Sequence, residues 1–128
     1  PHVSVGFVAG DGGAVIWPQL IGYARAKEFL MTGDLIPADE AARIGLINRS
    51  VPPEELDAVT SAFAARLASG AVKAIKCTKM SVNIGLKQLA HSIMDASISY
   101  EAQSNRTADH AEAVAAFREG RPPKFTGR

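Results

Sequence analysis

Pro1-His-Val-Ser-Val-Gly-Phe-Val-Ala-Gly-Asp-Gly-Gly13 decides how this chain is read. Residues 2–7 alternate between polar or small and apolar side chains, the period-2 pattern of one short strand. The alternation breaks over residues 8–13, where Gly10, Gly12 and Gly13 mark a tight turn with exposed backbone. A single strand cannot make a sheet. The chain therefore reads as mostly helical with an orphan strand, and the expectation is a piece of a longer protein that supplies the strand's partners.

Working outward, helices are expected over residues 14–21 and 23–32, with Pro18 bending the first and Gly22 and Gly33 as stops. Pro37 fits the first position of a short helix, Asp39 and Glu40 suit its positive end, and Gly45 closes it. Pro52-Pro53 opens a longer helix whose apolar face is Leu56, Val59, Phe63 and Leu67, ended by Gly70. A further helix is expected over residues 72–84, with Lys73, Lys76 and Lys79 on a solvated side. Leu86, Leu89, Ala90, Ile93 and Met94 then form the stripe of another amphipathic helix. Thr107 caps a last helix that carries Val114 and Phe117, and the tail over residues 121–128 is extended.

Composition narrows the function classes. The 128 residues carry 14 Lys and Arg against 13 Asp and Glu, and 47% are hydrophobic. That apolar fraction fills a core and excludes intrinsic disorder. A net charge of +1 argues against a nucleic-acid partner, whose binding comes from neutralised phosphates. No apolar run reaches the ~18 residues of a membrane span. The single cysteine, Cys77, has no internal disulfide partner, and no leader-like segment opens the chain, so a cytoplasmic location is expected. His91 and His110 lack His or Cys partners at ligand spacing, so no metal site is expected.

Four blocks in register add a resemblance. They are the opening stretch through Gly13, Leu20-Ile-Gly, Ala26-Lys-Glu-Phe-Leu-Met-Thr-Gly-Asp, and Ala38-Asp-Glu-Ala-Ala-Arg-Ile-Gly-Leu-Ile-Asn-Arg-Ser-Val-Pro. With the ending Ala116-Phe-Arg-Glu-Gly-Arg-Pro-Pro-Lys-Phe, they resemble the second half of the crotonase superfamily, the enoyl-CoA hydratase/isomerase family. The resemblance implies an α/β crotonase-like fold, of which this chain is the C-terminal, mostly helical part with one short N-terminal strand. Residues 1–51 would end the ββα core, and residues 52–128 would form a helical trimerisation segment. It also implies an acyl-CoA substrate, no cofactor other than that coenzyme A, and homotrimers or hexamers. The shared chemistry is an oxyanion hole of two backbone N–H groups holding a thioester enolate, with both donors N-terminal to this chain.

The resemblance departs from hydratases at one position, because His2 stands where they carry a catalytic Glu. Pro-His, then Gly-Asp-Gly, then Trp17-Pro18 is similar instead to the superfamily's β-diketone hydrolase branch, of the 6-oxocamphor hydrolase kind. That branch places a His and an Asp at the positions of His2 and Asp11, the His acting as base towards water. Its further carboxylate falls near Asn105, which is not an acid. Such a pair is chemically sensible, since a carboxylate that fixes one imidazole nitrogen leaves the other to take a proton. The plainer account has His2 starting a strand and Asp11 capping the next helix. Gly10 and Gly12 are read as letting backbone approach an acyl group or another strand. Trp17 is read as packing or as a pocket wall, and Phe117 as core packing or as a reach into a neighbour's acyl pocket. Three functions stay open: an acyl-CoA enzyme using His2 and Asp11, a β-diketone hydrolase, and a non-catalytic trimerisation piece.

Overall fold

A strand persists only where a neighbour takes its N–H and C=O groups. The computed structural model describes residues 2–128, and among them no second strand exists to do so. The expected strand is therefore corrected. His2–Val5 is a 3₁₀ turn, closed by the Gly6 N–H on the Val3 carbonyl (3.1 Å) and the Phe7 N–H on the His2 carbonyl (2.9 Å). Gly6 turns the chain at φ +65°, a region L side chains avoid.

Helices follow where expected. Helix α1 (Gly13–Ile21) contains Pro18 and ends at Gly22, and α2 (Tyr23–Thr32) ends at Gly33, a left-handed cap at φ +74°. A short α3 (Ala38–Arg43) follows Pro37, with Arg43 held by Glu40 through two 2.6 Å contacts. Ile21, Ala26 and Ile44 form a small core, with Trp17, Phe29, Leu30 and Leu46 packed onto it.

Beyond residue 51, a 3₁₀ turn (Pro53–Glu55) leads into α4 (Leu56–Ala68). The two helices expected next are one, α5 (Val72–Ser104), 33 residues long. Gly85 does not stop it. An interior glycine costs about 1 kcal/mol against Ala, which the good helix formers over residues 86–90 offset. Helix α6 (Ala108–Glu119) is capped by Thr107, whose hydroxyl accepts from the His110 N–H at 3.1 Å. The tail then folds back over α6. Arg121 reaches Glu112 and Glu119, the Lys124 N–H donates to Glu112 (2.9 Å), and the Thr126 and Gly127 N–H groups donate to Asp109 (2.6 and 2.8 Å). These donors hold both carboxyls below their ordinary range. Glu112, paired first with Arg121 and then with the Lys124 N–H, drops to about 2, and Asp109 is lowered mainly by the Thr126 N–H.

A seam along α5 joins the two halves. Ser97, Glu101 and Ser104 lie on one face of α5, at i, i+4 and i+7. Ser97 Oγ donates to the Gly10 carbonyl (2.9 Å) and Ser104 Oγ accepts from the Val8 N–H (3.1 Å).

Candidate functional site

The 3₁₀ turn and the glycine turn after it bring His2 and Asp11 to one place. His2 Nε2 lies 3.8 Å from Asp11 Oδ1, with the two side chains 39% and 61% exposed. That is close enough for charge to act and too long for a hydrogen bond, so Asp11 faces the imidazole without fixing its tautomer here. Asp11 is not a helix cap. Gly12 holds that position, and no side chain bonds the first turn of α1.

His2 borders a cavity of about 550 Å³, within the range of small-molecule sites. Its walls are mostly apolar, with Trp17, Phe29, Leu30, Leu35 and Ile36 among them, and Gly13 contributes backbone. Trp17 is thus a pocket wall as well as a packing residue. Asp34 joins His2 as the ionisable groups on the lining, while Asp11 stands outside it.

The other candidates fall elsewhere. Gly10 is pressed against α5, where a Cβ would lie 2.4 Å from the Ser97 carbonyl oxygen and 3.0 Å from Glu101 Cβ. Its need for glycine comes from that helix. Gly12 has φ −172° and nothing within 4 Å of a notional Cβ, so the space and backbone around it do not require glycine. Phe117 on α6 is 85% exposed, so it does not pack in the core of this chain.

Two kinds of residue escaped the sequence reading. Phe29, Leu30, Leu35 and Ile36 read as ordinary apolar positions, and only the fold turns them toward a cavity. Glu101 gave no local signal at all. Its Oε2 is shielded from solvent with no hydrogen-bond partner among the described residues. A carboxylate oxygen so placed is costly unless a donor reaches it. It lies one helical turn before Asn105, beside the turn that carries Asp11.

A sequence profile described as "Enoyl-CoA hydratase/isomerase" matches residues 1–128. The chain is 36% identical over 132 residues to a crotonyl-CoA hydratase of Syntrophomonas wolfei, covering 100% of this chain and 49% of that protein. It is 33% identical over 118 residues to a short-chain-enoyl-CoA hydratase of Clostridioides difficile, covering 92% of this chain and 76% of that protein. Among solved structures, an enoyl-CoA hydratase from Mycobacterium avium subsp. paratuberculosis superposes with a TM-score of 0.90 at 25% identity, over 98% of this chain and 51% of that one. The chain thus spans about half the length of most relatives it matches.

Proposed function

The chain belongs to the enoyl-CoA hydratase/isomerase family, and on that premise we propose that it is part of an enzyme acting on an acyl-CoA thioester. The relatives' names, crotonyl-CoA and short-chain-enoyl-CoA hydratase, support a short enoyl chain as substrate. In this reading two backbone N–H groups from upstream residues hold the thioester oxygen as negative charge develops, and this chain handles the proton. His2 is the base and Asp11 the carboxylate that faces it, 3.8 Å away. Trp17 forms the acyl wall, with Gly10 and Gly12 shaping the turn beside it. The coenzyme A of the substrate is the only cofactor implied. The observation that carries the reading is a histidine, 3.8 Å from a carboxylate, on the rim of an apolar cavity of about 550 Å³.

Assembly belongs to the same proposal. Helices α4 and α5 bury no residue, and Phe117 stands out from α6, which suits a homotrimer or hexamer in which a neighbour covers them. No helix of the described residues is long and apolar enough to cross a membrane. A cytoplasmic enzyme remains the reading favoured by the lone cysteine.

A second reading, hydrolysis of a C–C bond in a β-diketone, rests only on the resemblance carried by His2 and Asp11, and the names of the relatives do not favour it. His2→Glu in the intact enzyme separates the two. A hydratase keeps or gains water addition to a short-chain enoyl-CoA, because a glutamate carboxylate can serve as its base. A diketone hydrolase loses activity, since a carboxylate of pKa ~4.3 is a weaker base than imidazole near neutral pH.

A further inference from the structure

The turn that presents His2 buries none of its own residues, so the ring is not held by a core. It is held from two sides. On one, Gly33 at the end of α2 closes on Ser4, where a Cβ would lie 2.6 Å from Ser4 Oγ. On the other stands the first turn of α6. A carbonyl only accepts, so the 2.8 Å contact from His110 Nδ1 to the Val5 oxygen means that this nitrogen carries the proton. The His110 ring also meets Phe7 at 5.3 Å between centroids, and Phe7 stacks on His2 at 6.2 Å and 24°. Gly6 permits this closeness, because a Cβ there would lie 2.9 Å from the His110 backbone nitrogen.

We propose that His110 is a positioning residue for His2. Its hydrogen bond fixes the end of the turn, and its ring, through Phe7, fixes the direction in which the His2 imidazole points. Helix α6 can do this because its own start is immobilised twice, by the Thr107 cap and by Asp109 gripping residues 126 and 127. The C-terminal tail therefore bears on the geometry of the opening turn through the first turn of α6. Asn105, one turn of chain away, makes no such link, and His91 sits on an exposed face of α5.

The kinetic half of this proposal rests on His2 being the base, and the test separates the two ideas. In the intact enzyme with labelled His and Phe, His110→Ala abolishes the His2–Phe7 contact seen by NMR. It also lowers kcat about tenfold to hundredfold with KM changed less than about twofold, the cost of a misplaced catalytic group. His110→Asn, whose amide nitrogen replaces Nδ1 as donor, recovers most of kcat. His110→Phe keeps the ring contact without the donor and falls between. His91→Ala serves as the control and matches wild type. An intact His2–Phe7 contact in His110→Ala overturns the proposal, as does a wild-type kcat there when His2→Ala is impaired. If His2→Ala itself turns over normally, the base assignment falls, and the NMR contact alone decides whether His110 holds the ring.

Discussion

Residues 2–51 and residues 52–128 are both helical, yet they keep their apolar side chains in different ways. The first region buries Ala9, Val15, Ile21, Ala26, Ala41 and Ile44, three of which pack together as a core. The second buries only Ala113 and Ala116, while Met80, Val82 and Ile84 are 68%, 74% and 58% exposed. Geometry explains the contrast. Helices α1 and α2 are 9 and 10 residues long and fold back at Gly22, so each covers the other. Helix α5, at 33 residues, runs about 50 Å, further than a region of this size can cover. Small residues let the first region close on itself around a cavity, whereas the second offers surfaces that need other chain to cover them.

The joint between the regions is the most sensitive point. Gly10→Val would drive a side chain into the backbone of α5, and it is expected to cost about 3 kcal/mol or more, or to prevent folding, in a denaturant titration. A cost near zero would show that the two regions are not packed as described. The next largest effect is expected on assembly. Ile84→Glu places a charge in the exposed apolar stretch of α5, with little consequence for an isolated chain. It should weaken self-association by about a hundredfold or more in sedimentation or light scattering. A wild-type protein that stays monomeric at tens of micromolar would remove the contrast altogether.

Acid offers a milder test, confined to the second region. Asp109 and Glu112 titrate lower in the folded chain than in an unfolded one, so their contribution is complete above the ordinary carboxylate range. It fades as pH falls through the folded values, from the ordinary 4.5 toward about 2 for Glu112. Hydrogen exchange should show the amides of Lys124, Thr126 and Gly127 losing protection across that window before those of α1 and α2. Simultaneous loss everywhere would mean that the tail is not a separate clasp. The smallest effect is expected at Gly12. Gly12→Val, with extended backbone and open space, should cost within about 1 kcal/mol. A loss equal to that of Gly10→Val would reverse the assignment of the two glycines.

Much of the first region was legible because its punctuation is local. Gly22, Gly33 and Gly45 all take positive φ at the ends of helices, as stop signals should. Thr107 was readable as a cap for the same reason, its partner being three residues away. What failed was whatever depends on distant chain. The alternation of residues 2–7 is real, but a strand needs a neighbour that residues 2–128 do not supply. Gly85 carries the same letter as the stops and sits inside a continuous helix, since nothing after it forbids another turn. Gly10 was read as making room for an acyl group or another strand, whereas the helix that constrains it lies 87 residues on. Glu101 was invisible because its enclosure arises only when α5 meets the glycine turn. His2 and Asp11 were paired through the family resemblance rather than by any local signal, and they lie 3.8 Å apart. The cavity beside them was not legible, being built from side chains that look like any core.

The central claim is that His2 is the base of an acyl-CoA enzyme. It is tested most directly by steady-state turnover of a short-chain enoyl-CoA in the intact protein, comparing wild type, His2→Ala and Asp11→Asn. The expected result is a fall of about two to four orders of magnitude in kcat for His2→Ala, with Asp11→Asn falling in the same direction by less, as general base catalysis requires. Wild-type kcat in both variants, on a substrate that the enzyme demonstrably turns over, would contradict it and leave the chemistry to residues outside this chain.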